Sequence, residues 1–174
     1  MFQLNDMILY GTNGVCKLAA IEDRDCGGKM VTYYVLKPIY SSSSTVFVPV
    51  NNEKLTSKMR PVLTKEQIDD MLHGIPEEYA GWIDDERLRK EKFKELVGRA
   101  DTFELIQLIK TLLKHKEDVL ARGKKMHMAD ERMLQEAEKI ICDEFSYVLG
   151  IAADEVPEYI QSKVKAVGSE ICKA

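Results

Sequence analysis

The pattern of hydrophobic and polar positions changes character near residue 60. Before it, short runs rich in β-branched and aromatic residues are separated by turn signals, such as the two glycines and one asparagine of segment 11–14. Such runs predict strands, and we place them at 6–10, 15–21, 29–37 and 45–50. After residue 60, apolar residues recur every three or four positions, which predicts amphipathic helices. The sequence therefore predicts an α+β protein with domains at residues 1–60 and 61–174.

The first domain is predicted to be all β. Four or five short strands within 60 residues fit a small, strongly bent antiparallel sheet or an SH3-like barrel. Pro49 marks an edge strand or a strand end, because proline cannot donate a ladder hydrogen bond. A module of this kind suits partner binding better than catalysis.

The second domain is predicted to be a compact bundle of five helices joined by short connections. The helices are predicted to begin at Thr64, near Asp84 or Asp85, at Asp101, at about Ala129 and at Asp154. Thr64 with Gln67 makes a capping box, and Asp101 with Glu104 opens the third helix. The fourth helix is predicted to close at Gly150. We expect the second helix to bury Leu88, Phe93, Leu96 and Val97 and to be broken by Gly98 and Asp101.

Charge limits the function classes. The formal net charge is −4, which argues against a protein that coats nucleic acid non-specifically. From residue 82 to residue 125, however, twelve Lys/Arg stand against nine Asp/Glu. A locally basic segment in an acidic protein suggests a confined anionic contact whose affinity is supplemented by another tether.

The sequence contains almost no pattern that is typical of an active site. The chain has no Gly-rich phosphate loop, no GxSxG turn and no HExxH helix, and its three histidines are far apart in sequence. Its four scattered cysteines predict neither a zinc site nor disulfides, and Cys142 reads as a core residue. The apolar runs are too short to cross a bilayer, and no signal-peptide order precedes them. We therefore expect a cytoplasmic, non-enzymatic protein without cofactors.

The segment 81–94 carries the most suggestive side chains. Trp82, the only tryptophan, precedes an acidic trio, Asp84 to Glu86, and then a dense basic run. One interpretation is a packing anchor followed by a solvated helix whose charge order suits the helix dipole. The other is a nucleic-acid contact, with cations on phosphates and the ring against or between bases. The residues of this segment leave both interpretations open.

An ordered series of residues resembles the CarD/CdnL family of bacterial transcription regulators across nearly the whole chain. The RNA-polymerase-interacting module of transcription-repair coupling factors shares only the first part. The series consists of Phe2, Asp6, Tyr10-Gly11, Gly14-Val15-Cys16, Ile21-Glu22, the segment 33–38, the segment 48–52, Arg60, Trp82, the segment 129–132, Leu134 and Phe145.

The resemblance implies a Tudor-like first domain that docks on the β subunit of bacterial RNA polymerase, with Arg24 and Phe47 at the contact. It implies a helical second domain that touches promoter DNA at the upstream edge of the melted bubble and stabilises the open complex. Trp82 would wedge into the minor groove, and the implied phosphate contacts are Arg87, Arg89, Lys90, Lys92, Lys124 and Lys125. A monomer suffices for this activity.

Two positions depart from the family pattern. Three carboxylates separate Trp82 from its basic run, where relatives have cations sooner, and Phe47 stands where some relatives have arginine. The alternative function is a protein-interaction adaptor whose basic helix binds a protein rather than DNA.

Overall fold

The structure is a computed structural model and describes residues 2–41, 44–76 and 81–163. The chain divides into two compact units, Met1–Val62 and Leu63–Ala174. Of the residues described, none forms a helix long and apolar enough to span a membrane.

The first unit is a five-stranded antiparallel sheet. Its strands are β1 (Met7–Tyr10), β2 (Val15–Asp25), β3 (Met30–Pro38), β4 (Val46–Pro49) and β5 (Met59–Pro61), in the spatial order β4-β3-β2-β1-β5. The β1–β2 turn holds a single 3₁₀ turn and then Gly14 at φ +67°, a backbone conformation that favours glycine. The α+β class is confirmed.

The sheet is open rather than a closed barrel. β4 pairs with β3 and β5 pairs with β1, while β4 and β5 do not pair with each other. The barrel prediction was therefore wrong at this point, because the strand pattern reports strands but not whether the outer two meet. The sequence also missed a one-turn helix, α1 (Glu53–Thr56), which Asn52 caps by accepting a hydrogen bond from the Leu55 N–H.

One face of this sheet forms the core of the first unit. Side chains alternate between the faces of a strand, so the paired residues Leu18 and Leu36 point the same way. The same cluster contains Ile8, Cys16, Tyr34 and Val48. The register shifts between Leu18 and Ala20. On the opposite face, the cross-strand pairing puts Val35 beside Phe47 and Glu22 beside Tyr33.

The second unit contains five helices among its described residues: α2 (Lys65–His73), α3 (Glu86–Arg99), α4 (Thr102–Ala121), α5 (Met128–Leu149) and α6 (Val156–Lys163). The Thr64–Gln67 capping box forms in both directions, and Asp85 and Asp101 each accept an N-terminal backbone N–H. Gly150 ends α5 in the left-handed conformation. These predicted helix ends are confirmed.

The inward face of α3 differs from the prediction. Leu88 is 55% exposed, whereas Arg89 is buried together with Phe93 and Val97. These three residues follow an i, i+4, i+8 spacing, which keeps them on one side of the helix. Gly98 lies inside α3, which continues to Arg99 and ends at Ala100, at φ +52°. The predicted break at Asp101 is confirmed, since Asp101 caps the next helix, whereas the one at Gly98 was wrong.

Cys142 is buried on α5, as predicted.

Candidate nucleic-acid and protein contact sites

Trp82 lies just before α3 and is partly buried by three aromatic or cationic neighbours. Its ring stacks on His115 of α4, with centroids 3.5 Å apart and planes 7° from parallel. It meets Phe93 edge-on at 6.1 Å, and the Arg89 guanidinium carbon lies 4.5 Å from its centroid. Trp82 is therefore a packing residue in this structure, held at the surface of the second unit rather than projecting freely.

Arg89 is the residue that fixes this arrangement. Its Nε and Nη2 donate to the two carboxylate oxygens of Asp130 on α5, each at 3.1 Å. Its Nη1 donates to the backbone carbonyls of Ile83 at 2.8 Å and Asp84 at 3.3 Å. A bidentate, buried pair of this kind is strong and directional. Arg89 thus ties the segment that carries Trp82 to α5, a role different from the predicted phosphate contact.

The remaining predicted phosphate contacts are exposed. Arg87 makes no ion pair with any residue that the structure describes, whereas Lys90 pairs with Glu86 at 2.5 Å and Lys92 with Glu95 at 3.7 Å. Such exposed pairs are weak and exchange readily, so they leave both lysines available to an anion. Lys124 and Lys125 are exposed between α4 and α5.

Sequence reasoning missed two residues of this site. Asp130 belongs to the segment that carries the family resemblance, but no local pattern connects it to a partner 41 positions away. His115 stood out only as an isolated histidine. Burial lowers its pKa, an effect that Asp130 and Asp118 oppose and that Arg89 and Arg122 reinforce. The imidazole that stacks on Trp82 is therefore held in its neutral form near pH 7.

Arg24 and Phe47, predicted from the resemblance to contact the polymerase, lie together in the first unit. The Arg24 guanidinium carbon is 3.8 Å from the centroid of the Phe47 ring, within cation–π range. Arg24 also pairs with Glu22 at 2.6 Å, and Tyr33 meets Phe47 edge-on at 6.4 Å. Phe47 is 38% exposed on β4, an outer strand of the sheet. We call Glu22, Arg24, Tyr33 and Phe47 the hairpin face.

Comparison with known proteins identifies the first unit. Residues 2–63 match the family model described as the CarD-like/TRCF RID domain. The N-terminal unit is a CarD-like/TRCF RID domain. The resemblance to the CarD/CdnL family is thereby confirmed. The hairpin face belongs to this RID domain.

A relative extends the similarity beyond the RID domain. The "Putative transcription factor YdeB" of Bacillus subtilis (strain 168) is 23% identical over 163 residues, which cover 91% of this chain and 99% of the relative. The similarity therefore includes the helical unit that holds Trp82. In the described part of that unit and of the RID domain, no three His, Cys, Asp or Glu residues cluster closely enough to hold a metal ion.

Proposed function

We propose that this chain is a non-enzymatic transcription regulator of the bacterial cytoplasm. Its RID domain binds the β subunit of RNA polymerase, and its helical unit contacts promoter DNA at the upstream edge of the melted bubble. The observation that carries this proposal is the RID domain match over residues 2–63, joined in one chain to a basic helix with a tryptophan at its start. The similarity to a full-length relative named as a transcription factor supports the same function.

The contact with the polymerase is assigned to the hairpin face and to the adjoining edge of β4. β4 pairs on one side only, so its outer edge offers backbone groups to an added strand. The exposed ring of Phe47, with Arg24 against it, offers an apolar and cationic side-chain contact beside that edge. Aromatic and arginine side chains are the residues that carry most binding energy in protein interfaces.

The contact with DNA is assigned to Trp82 with Arg87, Lys90, Lys92, Lys124 and Lys125. In this arrangement Trp82 leaves its stack on His115 to enter a base step. Losing an aromatic stack costs about 0.5–1.5 kcal/mol, and losing the cation–π contact with the buried Arg89 costs about 2 kcal/mol. Polymerase binding must supply the remaining affinity, because a chain of net charge −4 has little general attraction for DNA.

The regulator acts by binding the melted promoter better than the closed one, which shifts the population toward the open complex without consuming nucleotide. The first experiment measures the lifetime of the open complex with the full-length protein and with Trp82→Ala. We expect the wild type to lengthen that lifetime and the variant to lose the effect while still binding polymerase. A variant that lengthens it as the wild type does would refute the wedge.

The second experiment tests the polymerase contact. Phe47→Ala should weaken binding of the full-length protein to the polymerase by about tenfold, because truncation of an interface aromatic costs more than 1 kcal/mol at a binding hot spot. Ile39→Ala is a matched control, since Ile39 is also 38% exposed in the RID domain but comes after the last residue of β3 and outside the hairpin face. Equal binding by both variants would remove Phe47 from the interface.

A second candidate function is a protein-interaction adaptor. The observation that favours it is Leu88, which projects from α3 with 55% of its surface exposed, among cations that are partly paired with carboxylates. Neutralising Arg87 and Lys90 separates the two functions. If this variant loses crosslinking to the bubble edge, the basic helix contacts DNA. If it retains crosslinking, and Leu88→Ala weakens a complex with another protein, the adaptor is supported.

A further inference from the structure

One face of α4 lines a cavity and also carries His115, the residue on which Trp82 stacks. Phe103, Gln107, Thr111 and His115 follow each other at intervals of four residues and therefore lie on one side of the helix. The first three line a cavity of about 290 Å³ between α3 and α4, and the fourth carries the Trp82 stack. Phe93 belongs to both, since it lines the cavity and contacts the indole edge-on. The stacking position of Trp82 and the cavity thus adjoin each other.

The lining of this cavity suits a flat ring with polar edges. Phe93 and Phe103 supply aromatic surface, and Phe103 is 42% exposed at the cavity. Gln107 has an amide nitrogen with no hydrogen-bond partner in the structure. Glu104, which pairs with Arg99 at 3.2 Å, adds a carboxylate, and Lys92 adds a cation. A glutamine amide offers one donor and one acceptor, which is the pattern that matches adenine, and a carboxylate accepts from an exocyclic amine.

The position on His115 is already occupied by a flat heteroaromatic ring. The 3.5 Å separation between the Trp82 and His115 rings is close to the rise of about 3.4 Å between bases in one DNA strand. When Trp82 leaves to enter a base step, that stacking surface becomes vacant. Bases removed from a helix are held in proteins by stacking on aromatic rings and arginine planes, and His115, Phe93 and Arg89 provide both.

We propose that this cavity accepts the base that Trp82 displaces. As the indole enters the DNA, one amino-bearing nucleobase, adenine or cytosine, leaves the DNA and enters the protein. The inference rests on the proposed function and adds a second binding site to it. An apolar protein side chain would fill the cavity but would leave the Gln107 amide unpaired, which is costly in a buried site. A base whose ring lies in the cavity satisfies that amide and packs against Phe93 and Phe103.

The test uses the full-length protein with polymerase and promoter DNA, and it reads the methylation of unpaired adenine N1 and cytosine N3 by dimethyl sulfate. We expect the wild type to protect one such base at the upstream bubble edge. Phe103→Ala and Gln107→Leu should each abolish the protection and shorten the open-complex lifetime about fivefold, the effect of losing one weak base stack. Tyr147→Ala and Gln135→Leu are matched controls, because both residues are exposed on α5 and outside the cavity, and they should match the wild type.

The outcomes separate this inference from the proposed function. If the wild type itself fails to lengthen the open-complex lifetime, the proposed function fails and the base exchange with it. If Trp82→Ala shortens the lifetime while Phe103→Ala and Gln107→Leu behave like their controls, the wedge stands and only the base exchange is overturned. Weaker polymerase binding by Phe103→Ala with unchanged base protection would assign the cavity to a protein side chain, which also overturns the exchange.

Discussion

The buried ion pair between Arg89 and Asp130 gives the sharpest test of the site. Arg89→Met keeps the length of the side chain but leaves the Asp130 carboxylate, whose side chain is 1% exposed, without its partner. Breaking a buried pair in this way costs about 3–5 kcal/mol. The variant should therefore lose a large part of the stability of a domain, which is about 5–15 kcal/mol in total.

The double variant Arg89→Met/Asp130→Leu separates the charge from the contacts. Replacing both charges with apolar groups removes the uncompensated carboxylate, so most of the stability should return. The hydrogen bonds to the Ile83 and Asp84 carbonyls remain lost, each worth about 0.5–1.5 kcal/mol. We expect the double variant to be about 1–3 kcal/mol less stable than wild type, with an altered Trp82 emission spectrum, because this segment is no longer held.

Urea unfolding of the full-length protein, followed by circular dichroism, measures both values. Lys90→Met is the matched control, since Lys90 is the next residue on α3 and its pair with Glu86 is exposed, so the loss of stability should be much smaller. If Arg89→Met costs no more than Lys90→Met, the pair does not stabilise the unit. Arg89 would then be a buried residue whose ion pair only offsets the cost of removing its charge from water.

Two further predictions concern ionisation in the helical unit. Burial lowers the pKa of His115, so as pH falls the unfolded chain takes up this proton before the folded protein does. The free energy of unfolding should therefore fall as pH drops below about 6.5. In unfolding measurements His115→Gln should flatten this pH dependence, and an unchanged slope would contradict the burial of the ring. Tyr159 donates a hydrogen bond to Asp69, and burial with this bond raises the pKa of Tyr159 to about 12. The stability that this tyrosine contributes is present below pH 10 and is lost as pH rises through about 12. Tyr159→Phe should therefore be about 1 kcal/mol less stable than wild type at pH 7 and should lose less stability at alkaline pH. A variant as stable as wild type at pH 7 would contradict the hydrogen bond.

Helix ends were the features most accessible to sequence reasoning, because a cap is a local interaction. Thr64 and Gln67 satisfy each other's backbone groups within one turn, and Gly150 adopts a backbone conformation that disfavours side chains. Gly98 was misjudged because glycine weakens a helix by only about 1 kcal/mol, which the packing of Phe93 and Val97 overrides. The open sheet was not predictable because closure depends on strands far apart in the sequence.

The surroundings of Trp82 and Arg89 were harder to predict from the sequence, because their partners also lie far away along the chain. Periodicity allowed either Leu88 or Arg89 to face inward, and hydrophobicity alone favours the leucine. Arg89 is buried because Asp130 offers it a bidentate partner, and that partner lies on another helix. The stack of Trp82 on His115 likewise joins residues that no local motif connects. Contacts between distant helices are set by packing, which the sequence pattern does not record.

The brevity of β4 has a consequence for how long the protein stays on its partner. A strand of four residues that ends in Pro49 can offer only a few outward backbone groups, and proline contributes no N–H. In the proposed complex, strand addition at this edge alone would give a short-lived attachment, and the dwell time would be set by the side chains next to it. Substitutions at Arg24 and Phe47 would then tune how quickly the regulator is released once transcription has begun.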